Sequence, residues 1–254
     1  MSRLFVSLLL VVTIFSTTYA GEVKFKPKSP ELQAANQLYL QNKYDEALTA
    51  YRKIMDSTKD TYVLRQSSSM LAEVLIYKAS QTDSPSEREK YLKEAVYICN
   101  KVRMIGDIWF GKAVVMLAHA CLIQGDRDAA NSMIEKHKHL FKELDTELHD
   151  KRKIEEDLIQ LSPMAESRYI LAVLMQEEAE KLLRESKDLE KAKELLIGQE
   201  TPVGKRTTGA LQHFVNINVR YAKCPWAEDS GKRADQIKKI LTDNFGAMQI
   251  QVKK

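Results

Sequence analysis

Glycine and proline are scarce in this chain, nine and six among 254 residues. Sandwiches and barrels need many turns, so that scarcity, beside the dominance of Ala, Leu, Glu, Lys and Gln, favours long helices and little or no sheet. Cysteine is scarcer still: Cys99, Cys121 and Cys224 make an odd count with no close pair. That spacing offers no zinc-ligand cluster and leaves at least one thiol free or intermolecular. Two readings of Cys99 and Cys121 stand: small core residues on packed helices, or a disulfide in an oxidising compartment. Beyond residue 15 there is no long apolar run, so no membrane-spanning helix is expected there. Charge of one sign is missing as well, with 39 Lys and Arg against 35 Asp and Glu. The basic groups Lys151-Arg152-Lys153, Lys205-Arg206, Lys232-Arg233 and Lys238-Lys239 are interrupted by acids and not interleaved with aromatics. They read as solvated faces, and no nucleic-acid partner is expected.

What is present begins with Arg3 and an apolar run from Leu4 to Phe15. The run is too short to span a bilayer and suits the core of a signal peptide. Thr18-Tyr19-Ala20 places small residues where a signal peptidase reads, so cleavage is expected after Ala20, and no cysteine follows for a lipid anchor. Residues 21–254 would then be periplasmic or secreted, without stable membrane insertion. Removing residues 1–20 subtracts only Arg3 from the net charge of +4, leaving +3.

Helical patterning starts at Ser29-Pro30-Glu31, where Ser caps a helix and Pro fits its first position. Ala34, Ala35, Leu38 and Tyr39 line one helix; Tyr44, Ala47, Leu48, Tyr51 and Ile54 line the next, with a break near Asn42-Lys43. A second hairpin carries Leu64, Leu71, Ala72, Leu75 and Ile76 on a helix expected to end near Ala79. Its partner starts at the capping box Ser84-Pro85-Ser86-Glu87 and turns Tyr91, Ala95, Ile98, Cys99 and Val102 inward. The third hairpin spans about Asp107 to Leu144 and breaks at Gln124-Gly125-Asp126, with Val114, Leu117, Ala118 and Cys121 facing Ala130, Ile134 and Phe141. Residues 145–162 read as a charged helical connector. Helices from Ser162-Pro163 to about Glu185, Asp188 to Leu196, Thr208 to Ala222 and Trp226 to Asn244 complete residues 163–254.

This self-similarity implies an array of helical hairpins, each burying its apolar face against its neighbours. Ala34-Ala35, Leu38, Tyr44, Ala47, Tyr51 and Ile54, with the run Tyr44-Asp45-Glu46-Ala47-Leu48, resemble the tetratricopeptide repeat. Leu117-Ala118, Cys121, Gly125-Asp126, Ala130 and Ile134 keep the same spacing. Leu71-Ala72, Leu75 and Ala95 follow it with a longer loop. Ala210, Phe214, Ile217, Tyr221 and Pro225-Trp226-Ala227 are similar to the helix junction of envelope tetratricopeptide proteins. Those include outer-membrane β-barrel assembly lipoproteins and coordinators of cell-wall synthesis. Here Ala222 stands where Pro usually follows the Tyr, and Cys224 where Ser is usual.

The resemblance implies an all-α, right-handed α-solenoid of about ten helices. Its inner surface is lined by the first helix of each hairpin, with Asn36, Leu40, Met70, Glu73, Tyr77, Lys112, Met116 and His119 as the expected partner-binding residues. The Lys and Asn clamp with which some such repeats hold a terminal carboxylate is matched only at Asn36, since Leu32 and Glu73 replace the others. An adaptable groove for a helix or extended peptide is expected instead.

Chemistry finds little support. The Gly198 to Arg206 loop fails as a phosphate-binding loop, with one residue too many between Gly198 and Gly204 and Arg206 in place of Ser or Thr. His137 and His139 point about 200° apart on a helix, and His119 and Cys121 are likewise two residues apart. Glu155-Glu156 sits in a mixed-charge run. No catalytic residue, cofactor or metal is therefore expected, and the chain reads as a scaffold for a protein or peptide. Rival readings are an outer-membrane or cell-wall assembly factor, an enzyme, and a structural homo-oligomer stacking through the last helices around Trp226 and Phe245. N-terminal sequencing of the exported protein should begin at Gly21; recovery of a cytosolic chain with Met1 retained would contradict export.

Overall fold

The computed structural model describes residues 29–102, 108–151, 161–199 and 207–246. Among the described residues the regular elements are ten α-helices and no strand. They are α1 (Pro30–Leu40), α2 (Tyr44–Ser57), α3 (Thr61–Gln81), α4 (Pro85–Val102), α5 (Ile108–Ile123), α6 (Arg127–Lys151), α7 (Pro163–Arg184), α8 (Leu189–Ile197), α9 (Ala210–Arg220) and α10 (Ala227–Phe245). None of the described helices is long and apolar enough to cross a membrane.

Side chains fix where these helices begin. Ser29 and Ser162 hydroxyls accept the Leu32 and Met164 amides, each with Pro at the following position. Asp60, Asp126 and Asp188 cap α3, α6 and α8, satisfying amides that have no partner within the helix. The Ser84 box is half made: its hydroxyl accepts the Glu87 amide, while Glu87 turns to the Thr82 hydroxyl.

Three hairpins share one turn. Asn42, Gly125 and Ser186 each take a left-handed conformation, φ 60°, 85° and 48°. The amide of the next residue reaches back five positions: Lys43 to Leu38, Asp126 to Cys121, Lys187 to Leu182. This is the Schellman closure, which pairs the last carbonyls of a helix. Seven residues before each turn stands a fully buried alanine, Ala35, Ala118 and Ala179; Ala47, Ala130 and Ala192 answer on the partner helices, also fully buried. Small residues at both places let paired helices approach closely.

The odd helices α3, α5, α7 and α9 pack consecutively, and α2, α4, α6 and α8 each pack against their own partner and against the next odd helix. One apolar core runs through the array, with a second cluster of Val114, Val115, Ala118, Ala130, Ile134, Phe141 and Ile170 between α5, α6 and α7.

Several expectations are adjusted by this packing. Helix α3 continues two residues past Ala79. Helix α6 runs through Leu144 to Lys151, so residues 145–151 of the segment read as a helical extension or exposed connector continue the helix. Leu148 is buried there, and Asp145 accepts hydrogen bonds from Ser162, Tyr221 and Arg220, joining α6, α7 and α9. All three cysteines are free thiols, Cys99 and Cys224 buried and Cys121 half-buried, so no disulfide joins Cys99 to Cys121. The signal segment 1–20, the lead-in 21–28, Glu155-Glu156 and residues 200–206 lie outside the described residues.

Gln199 and Thr207 are paired through Thr207 N to Gln199 O and Gln199 N to Thr207 Oγ1, both 2.8 Å. Gly198 makes this possible: its φ is 73°, and a Cβ there would stand 2.1 Å from the Thr207 carbonyl oxygen. Gly198→Ala is expected to cost about 1–3 kcal/mol, lowering Tm by roughly 2–10 °C for a chain this long. Differential scanning calorimetry checks this, and an unchanged Tm would contradict it.

Candidate functional site

The consecutive odd helices present one face to a common interior. On α3 it carries Met70, Glu73 and Tyr77, at spacings of three and four; on α5 it carries Lys112, Met116 and His119. These six residues, expected on an open inner surface, are not open. Met70, Glu73, Lys112, Met116 and His119 are all at most 2 % exposed, and Tyr77 is half-buried. Asn36 accepts the Tyr51 hydroxyl within its own hairpin at 2.9 Å, and Leu40 is half-buried against the core. A residue from the far end of the chain joins them: Trp226, at the α9 to α10 junction, is 1 % exposed and packs its ring against α3, α5 and α7.

The indole ring lies 5.8 Å from Tyr77 on α3, 4.3 Å from His119 on α5 and 5.2 Å from Tyr169 on α7, centroid to centroid. Two buried polar contacts join the same helices. Lys112 Nζ donates to Glu73 Oε1 at 2.7 Å, and His119 Nδ1 meets Glu166 Oε1 at 2.8 Å. Burial pushes the Glu73 carboxyl above its ordinary range; Lys112 opposes the shift and Glu166 adds to it. The Cys224 thiol, two residues before Trp226, is pushed up to about 12 by burial, partly offset by the Trp226 backbone N–H. It is therefore a protonated, unreactive thiol while it stays buried.

The polar satisfaction of this region is incomplete. Tyr39 Oη, Glu73 Oε2, Glu166 Oε2, Trp226 Nε1 and Ser230 Oγ have no hydrogen-bond partner, and they are five of the seven such buried side-chain atoms among the described residues. Tyr39 interacts favourably with the Glu73 carboxylate, but the geometry falls short of a hydrogen bond, so both oxygens count as unpaired. Each unmade bond forfeits about 1–3 kcal/mol. Several together are comparable with burying one tryptophan, which removes roughly 150–250 Å² from water and contributes about 4–6 kcal/mol.

Trp226 is held from the outside by a second set of bonds. The Tyr169 hydroxyl donates to Asp229 Oδ2 at 2.5 Å, Arg233 Nε donates to the same oxygen at 2.7 Å, and Arg233 reaches Gln176 at 3.3 Å. Asp229 and Arg233 are only partly buried, so their ion pair contributes modestly.

Two constellations invite a catalytic reading and neither has the geometry for it. Ser162, Asp145 and His149 come together, but Ser162 donates to Asp145 Oδ1 at 2.7 Å while His149 Nδ1 bonds the Asp145 carbonyl. No bond joins serine to histidine, so the hydroxyl has no base. The Ser162 oxygen also caps α7. The His119 and Glu166 pair is sealed under Trp226. No group of three or more metal-ligating side chains is found among the described residues. No family model matches the chain, and no curated protein or solved structure is found to be similar to it.

Sequence reasoning brought six of the interior residues to one face and missed Glu166, Tyr169 and the inward course of Trp226. Glu166 carried a signal. It lies in the first turn of α7, four residues after the cap Ser162 and one too many for a capping box. Lys112→Met should lose about 3–5 kcal/mol in denaturant unfolding at pH 7, because Glu73 stays buried without its counter-charge. Glu73→Leu combined with Lys112→Met should be at least as stable as the native chain; an equal loss in both would contradict a purely packed pair.

Proposed function

We propose that the chain is a non-enzymatic helical-repeat scaffold of the tetratricopeptide type, forming a right-handed solenoid that holds a protein or peptide partner. The observation that carries this reading is the threefold recurrence of one turn with one pair of buried alanines at Ala35 and Ala47, Ala118 and Ala130, and Ala179 and Ala192. Unrelated helical packings have no need to repeat a left-handed turn at a fixed distance from a small residue. An array in which each hairpin packs on the next does. Its odd helices share one continuous face, which in such arrays is the surface that meets a partner.

The step from repeat to partner is an argument by analogy of architecture. It is supported by how the described ionisable groups are used. Asp145 joins three helices, Ser162 caps one, and Lys112 with Glu73 ties α3 to α5. The apolar run Leu4 to Phe15 supports a site of action in the periplasm or outside the cell. An assembly role at the outer membrane or cell wall is a narrower version of the same reading.

Chemical crosslinking in the exported fraction, followed by mass spectrometry, tests it. The scaffold reading expects crosslinks from this chain to a second protein species. Crosslinks returning only this chain's own peptides would overturn it in favour of a self-associating structural protein.

A further inference from the structure

We propose that the seat formed by Tyr77, His119 and Tyr169 is the partner-binding site, that it accepts an aromatic side chain of a partner segment, and that Trp226 occupies it in the free protein as an internal stand-in. The proposal rests on the scaffold reading and adds what the site binds and what guards it.

Three observations carry it. First, the ring in the seat comes from a turn, Tyr221–Trp226, and not from a helix of the layer that forms the seat. Three aromatic rings from three successive odd helices converge on that single side chain. Second, the unpaired buried polar atoms concentrate around it. Glu166 Oε2 is an acceptor without a donor and Trp226 Nε1 a donor without an acceptor, whereas the Glu73 carboxylate has Tyr39 beside it. A core residue in its final place pairs such groups. A segment bringing an aromatic ring beside an N–H or cationic donor would bond the Glu166 oxygen left bare in the free chain. The partner chemistry is thus an aromatic residue flanked by a basic or amide-bearing one. Third, the stand-in has a fastening that reaches the solvent side. Asp229 and Arg233, both on α10 and partly buried, bond each other and form a clasp with the Tyr169 hydroxyl and Gln176, and Tyr221 is tied to Asp145 on the other side of the turn. Tyr169 alone belongs to both seat and clasp.

A tethered occupant acts at an effective concentration on the order of millimolar, so a free competitor must be supplied at that level. Cys224 reports the outcome, because it is 4 % exposed and moves with the turn, whereas Cys99, 1 % exposed on α4, is uncovered only when the array opens. The experiment labels the full, folded chain with a thiol reagent and follows each cysteine by peptide mass spectrometry. The expected result is that Cys224 is modified faster than Cys99 by roughly tenfold or more, as local opening precedes global opening. A synthetic peptide of residues 221–230 carrying Cys224→Ser should accelerate Cys224 further and saturate, and the same peptide carrying Trp226→Ala should not. Asp229→Asn in the full chain, which weakens the clasp outside the core, should also accelerate Cys224 with little change in the Cys99 rate.

Equal rates at both cysteines, or no effect of the tryptophan peptide, would overturn the proposal. If Cys224 stays locked while crosslinking returns a partner, the seat is wrong and the scaffold stands. If the peptide releases Cys224 but no partner is ever crosslinked, the seat stands and the scaffold reading fails.

Discussion

The burial of the Trp226 ring against Tyr77, His119 and Tyr169 brings the α9 to α10 junction onto three successive odd helices at once. From α3 to α9 each odd helix packs on the next, and the ring adds a direct contact between α3 and that junction. Stability in such arrays is close to a sum over adjacent units. A long-range aromatic contact changes that, since it makes the last hairpin sensitive to the conformation of the second. Around it a lysine, a histidine and two glutamates lie in the interior, each bonded to a partner on an adjacent odd helix.

The polar residues beneath Trp226 set the character of this closure. Burying Lys112 with Glu73 is tolerable because the two charges neutralise each other, and His119 gives Glu166 a partner on the adjacent helix. Yet one oxygen of each carboxylate remains bare, as do Tyr39 Oη and the indole nitrogen. An interior optimised only for packing would carry apolar side chains at these positions.

Much of the layout was legible in the residues themselves. Gly125 and the caps Ser29, Asp126 and Ser162 mark helix ends by local chemistry that tertiary packing does not override, and the spacing of Ala35, Ala47, Ala118 and Ala130 gave the pairing of helices. The turn at Ser186 was hidden, since serine is an uncommon residue for a left-handed position and only Ala179 and Ala192 betray the repeat there. The end of α6 was hidden for a different reason. Asp145 and Leu148 sit among charges in sequence, and their burial comes from Tyr221, Arg220 and Ser162, which arrive from far along the chain. The closing of the inner face was illegible in principle from periodicity: a helical pattern tells which residues share a face and not what comes to cover it. Pro225-Trp226 reads as a helix junction whichever way the ring points.

Hydrogen exchange of the free protein, followed by mass spectrometry, measures the central claim most directly: the last hairpin closes over a face built by α3, α5 and α7 without being part of the same cooperative unit. The account predicts that amides of α10 exchange through a sub-global opening, while those of α3 and α5 exchange only with global unfolding. Exchange of α10 at the same rate and with the same denaturant dependence as α5 would contradict it, because Trp226 would then be an ordinary core residue of a single closed fold.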